Sequence, residues 1–91
     1  VVSDDVGAQA SRAIDNAEVA LRAAGASLGD VVQWSVVIQQ DADLGAAYGA
    51  IAPRLATGGA PPLVSASKVA ALGVPGALLE VSAIAAVLPA E

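Results

Sequence analysis

The segment LLEVSAIAAVL, residues Leu78–Leu88, predicts a strand in the middle of a sheet because it is almost wholly apolar. Side chains alternate between the two faces of a strand. One face would therefore carry only apolar residues and need a cover of helices, while the other would carry Glu80 beside a serine. A carboxylate on a largely buried strand is costly unless it is paired, so Glu80 is a candidate functional residue. The alternative is a solvated glutamate near the strand end.

The length of 91 residues predicts one small domain, spanning residues 1–91. Apolar residues make up 56% of the chain, which favours a folded state. Many of them are alanines, which remove little area from water. Without cysteines for disulfides, such a modest core predicts stabilisation by oligomerisation.

Charge and composition exclude several classes of function. The net charge of −5 and only four scattered basic residues argue against a nucleic-acid partner. No apolar run approaches the roughly eighteen residues of a membrane span, and the acidic start does not resemble a signal peptide, so the cytoplasm is the expected location.

Without His or Cys, the chain has no catalytic triad, thiol nucleophile or zinc site. No phosphate or dinucleotide loop occurs, so we expect no cofactor. The close pairs Asp4–Asp5 and Asp41–Asp43 could hold a metal ion, but both are better explained as helix caps, so we expect no metal.

Two amphipathic helices are predicted from apolar residues at three- and four-residue spacing. The first would span Ser3–Ala24, with Ser3 or Asp4 as its cap, and would end at Gly25. The second would span residues 44–55 after a cap by Asp41 or Asp43. Tyr48 lies on its apolar stripe and either packs in the core or turns its hydroxyl toward a cleft.

Two further strands are predicted, at residues 31–39 and 63–72. In the first, Val32, Trp34, Val36 and Ile38 would share one face. The helix between these strands predicts that they are parallel, and the turn at residues 73–76 predicts a hairpin to the Leu78 strand. The order α-β-α-β-β indicates an α+β fold, a two-layer sandwich with a mixed sheet backed by two helices.

Two long segments carry a family resemblance: ALRAAGASLGDVVQWSVVIQQDADLGAAY at residues 20–48 and ASKVAALGVPGALLEVSAIAAV at residues 66–87. They resemble the Rid family, the YjgF-type reactive-intermediate deaminases. The resemblance rests on the AAGASLGDVV segment, on Asp43 at the start of the second helix, and on the late strand after a proline-containing turn. It implies a chorismate-mutase-like fold, a homotrimer, and a small-molecule cleft between subunits. Family members normally carry further N-terminal strands, so we expect the domain to be incomplete at its N-terminus.

The resemblance also implies a set of site residues. Glu80 matches the glutamate that orients the catalytic water in the hydrolysis of imines and enamines such as 2-iminobutanoate. Val64 matches the arginine that holds the substrate carboxylate, and Ala66 matches a cysteine of many members. An asparagine of the family falls near Tyr48. The expected ligand-binding residues are Tyr48, Val64, Ser65, Ala66 and Lys68.

Two functions remain open at this stage. The first is hydrolysis of an imine, enamine or related C–N bond by water oriented on Glu80. The second is a non-catalytic ligand-binding or regulatory trimer that lost deaminase activity together with the arginine, because Val64 cannot hold a carboxylate by paired hydrogen bonds. Lys68, on the same face as Val64, either supplies a replacement charge or is a solvated residue near the strand end.

Overall fold

The computed structural model describes residues 5–57, 59 and 61–88. The elements confirm the predicted order and the α+β class. In chain order they are α1 (Val6–Ala23), a short 3-10 turn (Leu28–Asp30), β1 (Val31–Gln39), α2 (Leu44–Leu55), β2 (Leu63–Val69) and β3 (Leu79–Ala85). The second and third strands are therefore shorter than predicted, since β2 ends before residue 72 and β3 begins after residue 78.

The first helix begins after Asp5, whose carboxylate Oδ1 accepts the backbone N–H of Gly7 at 2.8 Å and of Ala8 at 3.3 Å. This cap satisfies two of the free N–H groups of the first turn. The predicted caps, Ser3 and Asp4, lie outside the described residues. At the other end Gly25 has a φ of +84°, which confirms the predicted left-handed termination.

The described strands form one mixed sheet in the order β2-β1-β3. β1 pairs with β2 in parallel, as predicted, and with β3 in antiparallel fashion. The predicted hairpin between the last two strands is wrong, because β1 lies between them. The central position also belongs to β1 and not to the Leu78–Leu88 segment. Because β1 has a neighbour on each side and helices on one face, its side chains are the most deeply buried of the three strands.

The core lies between the sheet and the two helices, which cover one sheet face. Trp34 and Ile38 of β1, Ile14 of α1 and Ile51 of α2 are its largest fully buried side chains. The three strands and two helices of the described residues thus make a thin two-layer sandwich. The opposite sheet face has no cover within the described part of the chain.

A β-bulge at the start of β1 changes the predicted alternation of side chains. The pairing of β1 with β3 shifts between Val31 and Gln33. The extra residue in β1 reverses the local facing, so Val31 is buried and Val32 is 48% exposed. The prediction that Val32 shares a face with Trp34 is therefore wrong, while Trp34, Val36 and Ile38 face the helices as expected.

Candidate functional site

A cleft of about 470 Å³ opens between helix α2 and the edge strand β2. We call it the α2–β2 cleft. The pairing of Val64 with Trp34 and of Ala66 with Val36 places both β2 side chains on the helix side of the sheet. The residues that line the cleft are Val36, Leu44, Gly45, Ala47, Tyr48, Ile51, Val64 and Ala66.

Helix α2 presents Tyr48 to this cleft from the margin of its apolar stripe. Ala47 and Ile51 lie on the same helix and are each 1% exposed, whereas Tyr48 is 44% exposed. The helix is fixed at its start by Asp43, whose Oδ1 accepts the N–H of Ala46 at 3.0 Å. Tyr48 therefore lines the cleft and is not a core residue, whereas the direction of its hydroxyl stays a prediction.

Lys68 shares the helix-side face with Val64 but does not line the α2–β2 cleft. Four residues of strand separate their Cα atoms by about 13 Å. The Lys68 side chain is exposed, close to the end of β2. The structure therefore does not bring the Lys68 ammonium to the position that Val64 occupies.

Glu80 and Ser65 lie on the other face of the sheet, which we call the open face. Its central row joins Ser65, Ser35 and Ser82 in register across the three strands, and the hydroxyls of Ser35 and Ser65 are 3.5 Å apart. In the next row Glu80 lies opposite Val37. Ser65 therefore belongs with Glu80 and not with the cleft.

The Glu80 side chain is exposed, and its carboxylate makes no hydrogen bond or ion pair with any described residue. The expectation of a buried, costly charge is wrong for this chain by itself, because nothing described covers the open face. A free, solvated carboxylate can accept a hydrogen bond from water and take up a proton from it.

Within one chain, Glu80 and the α2–β2 cleft lie apart. Their strands are the opposite edges of the described sheet, separated by two strand spacings, about 10 Å. Their side chains also project from opposite faces. A site that uses both Glu80 and the cleft must therefore take them from two copies of the chain.

A second, smaller cleft of about 370 Å³ lies between α1 and β3, at the edge of the described sheet. Glu80 is among its lining residues, although the strand register assigns its side chain to the open face. From α1 this smaller cleft receives Gln9, Arg12 and Asn16, polar residues that sequence reasoning left outside any site. Their three- and four-residue spacing puts them on one helix face. This spacing is the feature of the sequence that could have identified the three residues as a cluster, although a solvated helix surface shows the same spacing.

The described residues contain no group of three or more His, Cys, Asp and Glu side chains arranged to hold a metal ion. Among the helices of residues 5–57, 59 and 61–88, none is long and apolar enough to cross a membrane.

In the described part of the chain, two helices pack on one face of a three-stranded mixed sheet and nothing covers the other face. This arrangement defines an α+β protein of the chorismate-mutase-like class. The family described as Endoribonuclease L-PSP matches residues 1–87. The chain therefore belongs to this family, which also carries the names YjgF and Rid. Among curated proteins, no sequence matches this chain with significance.

Three solved structures illustrate the likeness. A Mycobacterium tuberculosis member of the highly conserved YjgF/YER057c/UK114 family is 36% identical, with a TM-score of 0.79, over 93% of this chain and 70% of that one. RidA from an Antarctic Psychrobacter is 30% identical, with a TM-score of 0.78, over 89% of this chain and 63% of that one. A Rid-family protein from Yersinia pestis is 30% identical, with a TM-score of 0.79, over 96% and 66%.

Proposed function

We propose that this protein hydrolyses the C=N bond of a small imine, or of an enamine through its imine tautomer, with water oriented by Glu80. The observation that carries the proposal is the exposed Glu80 carboxylate, free of partners among the described residues, on the late strand that matches the family. We further propose that the site forms between two copies of a homotrimer, because one chain keeps Glu80 away from its own cleft.

The proposed reaction needs one group that moves a proton in both directions. Glu80 accepts a proton from water as the water oxygen bonds to the imine carbon, and delivers that proton to the imine nitrogen, giving a neutral carbinolamine. Glu80 then accepts the hydroxyl proton of the carbinolamine and passes it to the amine nitrogen as the C–N bond breaks and the C=O bond forms. The products are a carbonyl compound and ammonia, so one water is consumed for each imine. No oxidant, metal or cofactor enters this balance.

A second function, ligand binding without catalysis, is supported by a separate observation. Val64 lines the cleft at the position where the family resemblance implies an arginine for the substrate carboxylate. Without that guanidinium the cleft cannot hold a 2-imino acid by paired, charge-assisted hydrogen bonds. The alternative is therefore a ligand-binding or regulatory trimer that has lost the deaminase reaction.

Ribonuclease activity, which the family description names, has little support in the chain's charge. RNA binding requires free cations that displace counterions from phosphates, whereas this chain has a net charge of −5 and four basic residues. Two of them are engaged by carboxylates, because Arg22 pairs with Glu18, and Arg54 pairs with Asp15 and Glu18.

The test compares Glu80→Gln with the unaltered natural protein in full length, by release of ammonia from freshly generated 2-iminobutanoate and from an imine of an uncharged ketone. Glu80→Gln keeps the size of the side chain and removes the proton acceptor. We expect its kcat to fall by about 100-fold or more. Asp41→Asn is the matched control, because it removes an exposed carboxylate elsewhere, and it should stay within about twofold.

Equal turnover by Glu80→Gln and the unaltered protein would rule out the proposed role of Glu80. If the unaltered protein releases no ammonia above the uncatalysed rate but still binds a ligand in its cleft, the ligand-binding trimer is the better description.

A further inference from the structure

We infer that the α2–β2 cleft selects an uncharged, apolar ligand and discriminates against a carboxylate. This deepens the proposed function, because it names the substrate class: an imine of a simple ketone. The expected reaction depends on the proposed function, whereas the expected ligand binding does not. Described residues of α2, β1 and β2 provide the lining of the cleft.

None of the described residues that line the cleft is charged, and Tyr48 is the one lining residue whose side chain has a polar group. Val64 and Ala66 supply the β2 wall, and Val36 supplies the floor from β1. A volume of about 470 Å³ is in the range of small-molecule sites. The cleft therefore offers apolar contact area and one hydroxyl.

A carboxylate placed in this cleft would lose water without gaining a partner of opposite charge. Such burial is strongly unfavourable for an ion. Arg54 is held by Asp15 at 2.6 Å and by Glu18 at 3.4 Å, and Lys68 lies about 13 Å along the strand from Val64. The net charge of −5 adds a long-range repulsion of anions.

An uncharged ketone or ketimine meets none of these costs. Its hydrocarbon substituent packs against Val36, Val64 and Ile51, and burial of each CH₂ group is favourable. The Tyr48 hydroxyl can donate a hydrogen bond to a carbonyl oxygen or an imine nitrogen. A ligand with one such acceptor and a short alkyl chain therefore matches the cleft in charge, polarity and size.

The experiment measures binding of two product-like ketones that differ in one group. 2-Pentanone carries a methyl group where 2-oxopentanoate carries a carboxylate. Each is titrated into the natural full-length protein, and the dissociation constant is taken from the backbone amide NMR shifts of the cleft residues. We expect 2-pentanone to bind at least about tenfold more tightly than 2-oxopentanoate.

The variant Val64→Arg should reverse this preference, because a guanidinium at the cleft wall can hold the carboxylate bidentately. Val64 is 39% exposed on an edge strand, so the larger side chain has room. Val19→Arg is the matched control. Val19 is 68% exposed on α1 and outside the cleft, so this change adds the same charge to the chain and should keep the preference of the unaltered protein.

Three results would overturn the inference: 2-oxopentanoate binding as tightly as 2-pentanone to the unaltered protein, no shift of cleft amides with either ketone, or a preference that a folded Val64→Arg variant leaves unchanged. Failure of the proposed reaction is distinguishable from these results. If 2-pentanone is preferred but Glu80→Gln leaves ammonia release unaltered, the hydrolytic mechanism fails while the ligand class stands.

Discussion

The side-chain carbonyl of Gln9 accepts the backbone N–H of Leu78 at 2.8 Å, which ties the first helix to the segment leading into β3. The amide nitrogen of the same side chain donates to the carbonyl oxygen of Gly76 at 3.1 Å. Leu78 in turn accepts a hydrogen bond from the backbone N–H of Gln39 at 2.8 Å. One side chain thus fixes where β3 begins, and β3 carries Glu80.

Replacing Gln9 by leucine is expected to lower the free energy of unfolding by about 2 kcal/mol. Gln9 is 9% exposed, so the change leaves the Leu78 N–H and the Gly76 carbonyl without their side-chain partner in a largely buried position. The measurement is urea unfolding. Gln40→Leu, at an exposed position, is the control and should change the value by no more than about 0.5 kcal/mol. Equal effects at both positions would contradict the tethering role.

Local patterns in the sequence predicted the elements well, because each depends on near neighbours. The helix-side face of β1 followed from the alternation of Trp34, Val36 and Ile38, and the end of α1 followed from Gly25. Strand order depends on distant contacts, and a short segment rich in turn residues is compatible with both a hairpin and a crossing past β1. The polar character of Gln9 likewise gave no sign of its partners, which lie 67 and 69 residues away.

The candidate site was predictable only in part, for a related reason. The alternation of β2 placed Val64 and Ala66 together on one face, and the register confirms that arrangement. Ser65 and Glu80 could be assigned to the opposite face by the same logic. The alternation of side chains does not predict the separation of Glu80 from the cleft, because that separation depends on which strands form the edges of the sheet.

The guanidinium of Arg54 joins the two helices, since Nη1 lies 2.6 Å from Asp15 Oδ1 and Nη2 lies 3.4 Å from Glu18 Oε1. We expect Arg54→Met to lower the free energy of unfolding by about 1 kcal/mol at low salt, because two partly exposed ion pairs are lost. The difference should shrink in about 0.5 M NaCl, where such pairs are screened. Urea unfolding at both salt concentrations provides the measurement.

Arg12→Met is the matched control for the helix–helix ion pairs. It removes the same charge from an exposed position on α1, where the structure shows no ion pair to a described residue. A salt-dependent loss of the same size in Arg12→Met would show that net charge, and not the Arg54 contacts, is responsible.

Replacement of glycine by alanine is expected to have opposite effects on stability at Gly25 and at Gly49. Gly25 adopts a φ of +84°, so Gly25→Ala forces a side chain into the left-handed region and should cost about 1–2 kcal/mol. Gly49 lies within α2 with nothing within 4 Å of an added Cβ, so Gly49→Ala should stabilise the protein by about 0.5–1 kcal/mol. Thermal unfolding of both variants measures whether each substitution raises or lowers the stability. A destabilised Gly49→Ala would mean that this helix surface is covered by another chain in the assembled protein.

Tyr48 provides the last test, because its ring and its hydroxyl make separate contributions to the α2–β2 cleft. Tyr48→Phe keeps the apolar wall and removes the hydroxyl, so we expect 2-pentanone to bind about 3- to 10-fold more weakly, as for the loss of one neutral hydrogen bond. Tyr48→Ala removes the ring as well and should weaken binding further. The preference for 2-pentanone over 2-oxopentanoate should survive in Tyr48→Phe, since charge discrimination comes from the apolar wall at Val64. Backbone NMR titrations of both variants measure these constants. Unchanged binding in Tyr48→Ala would place the ketone outside the cleft and transfer the search for its site to the open face around Glu80.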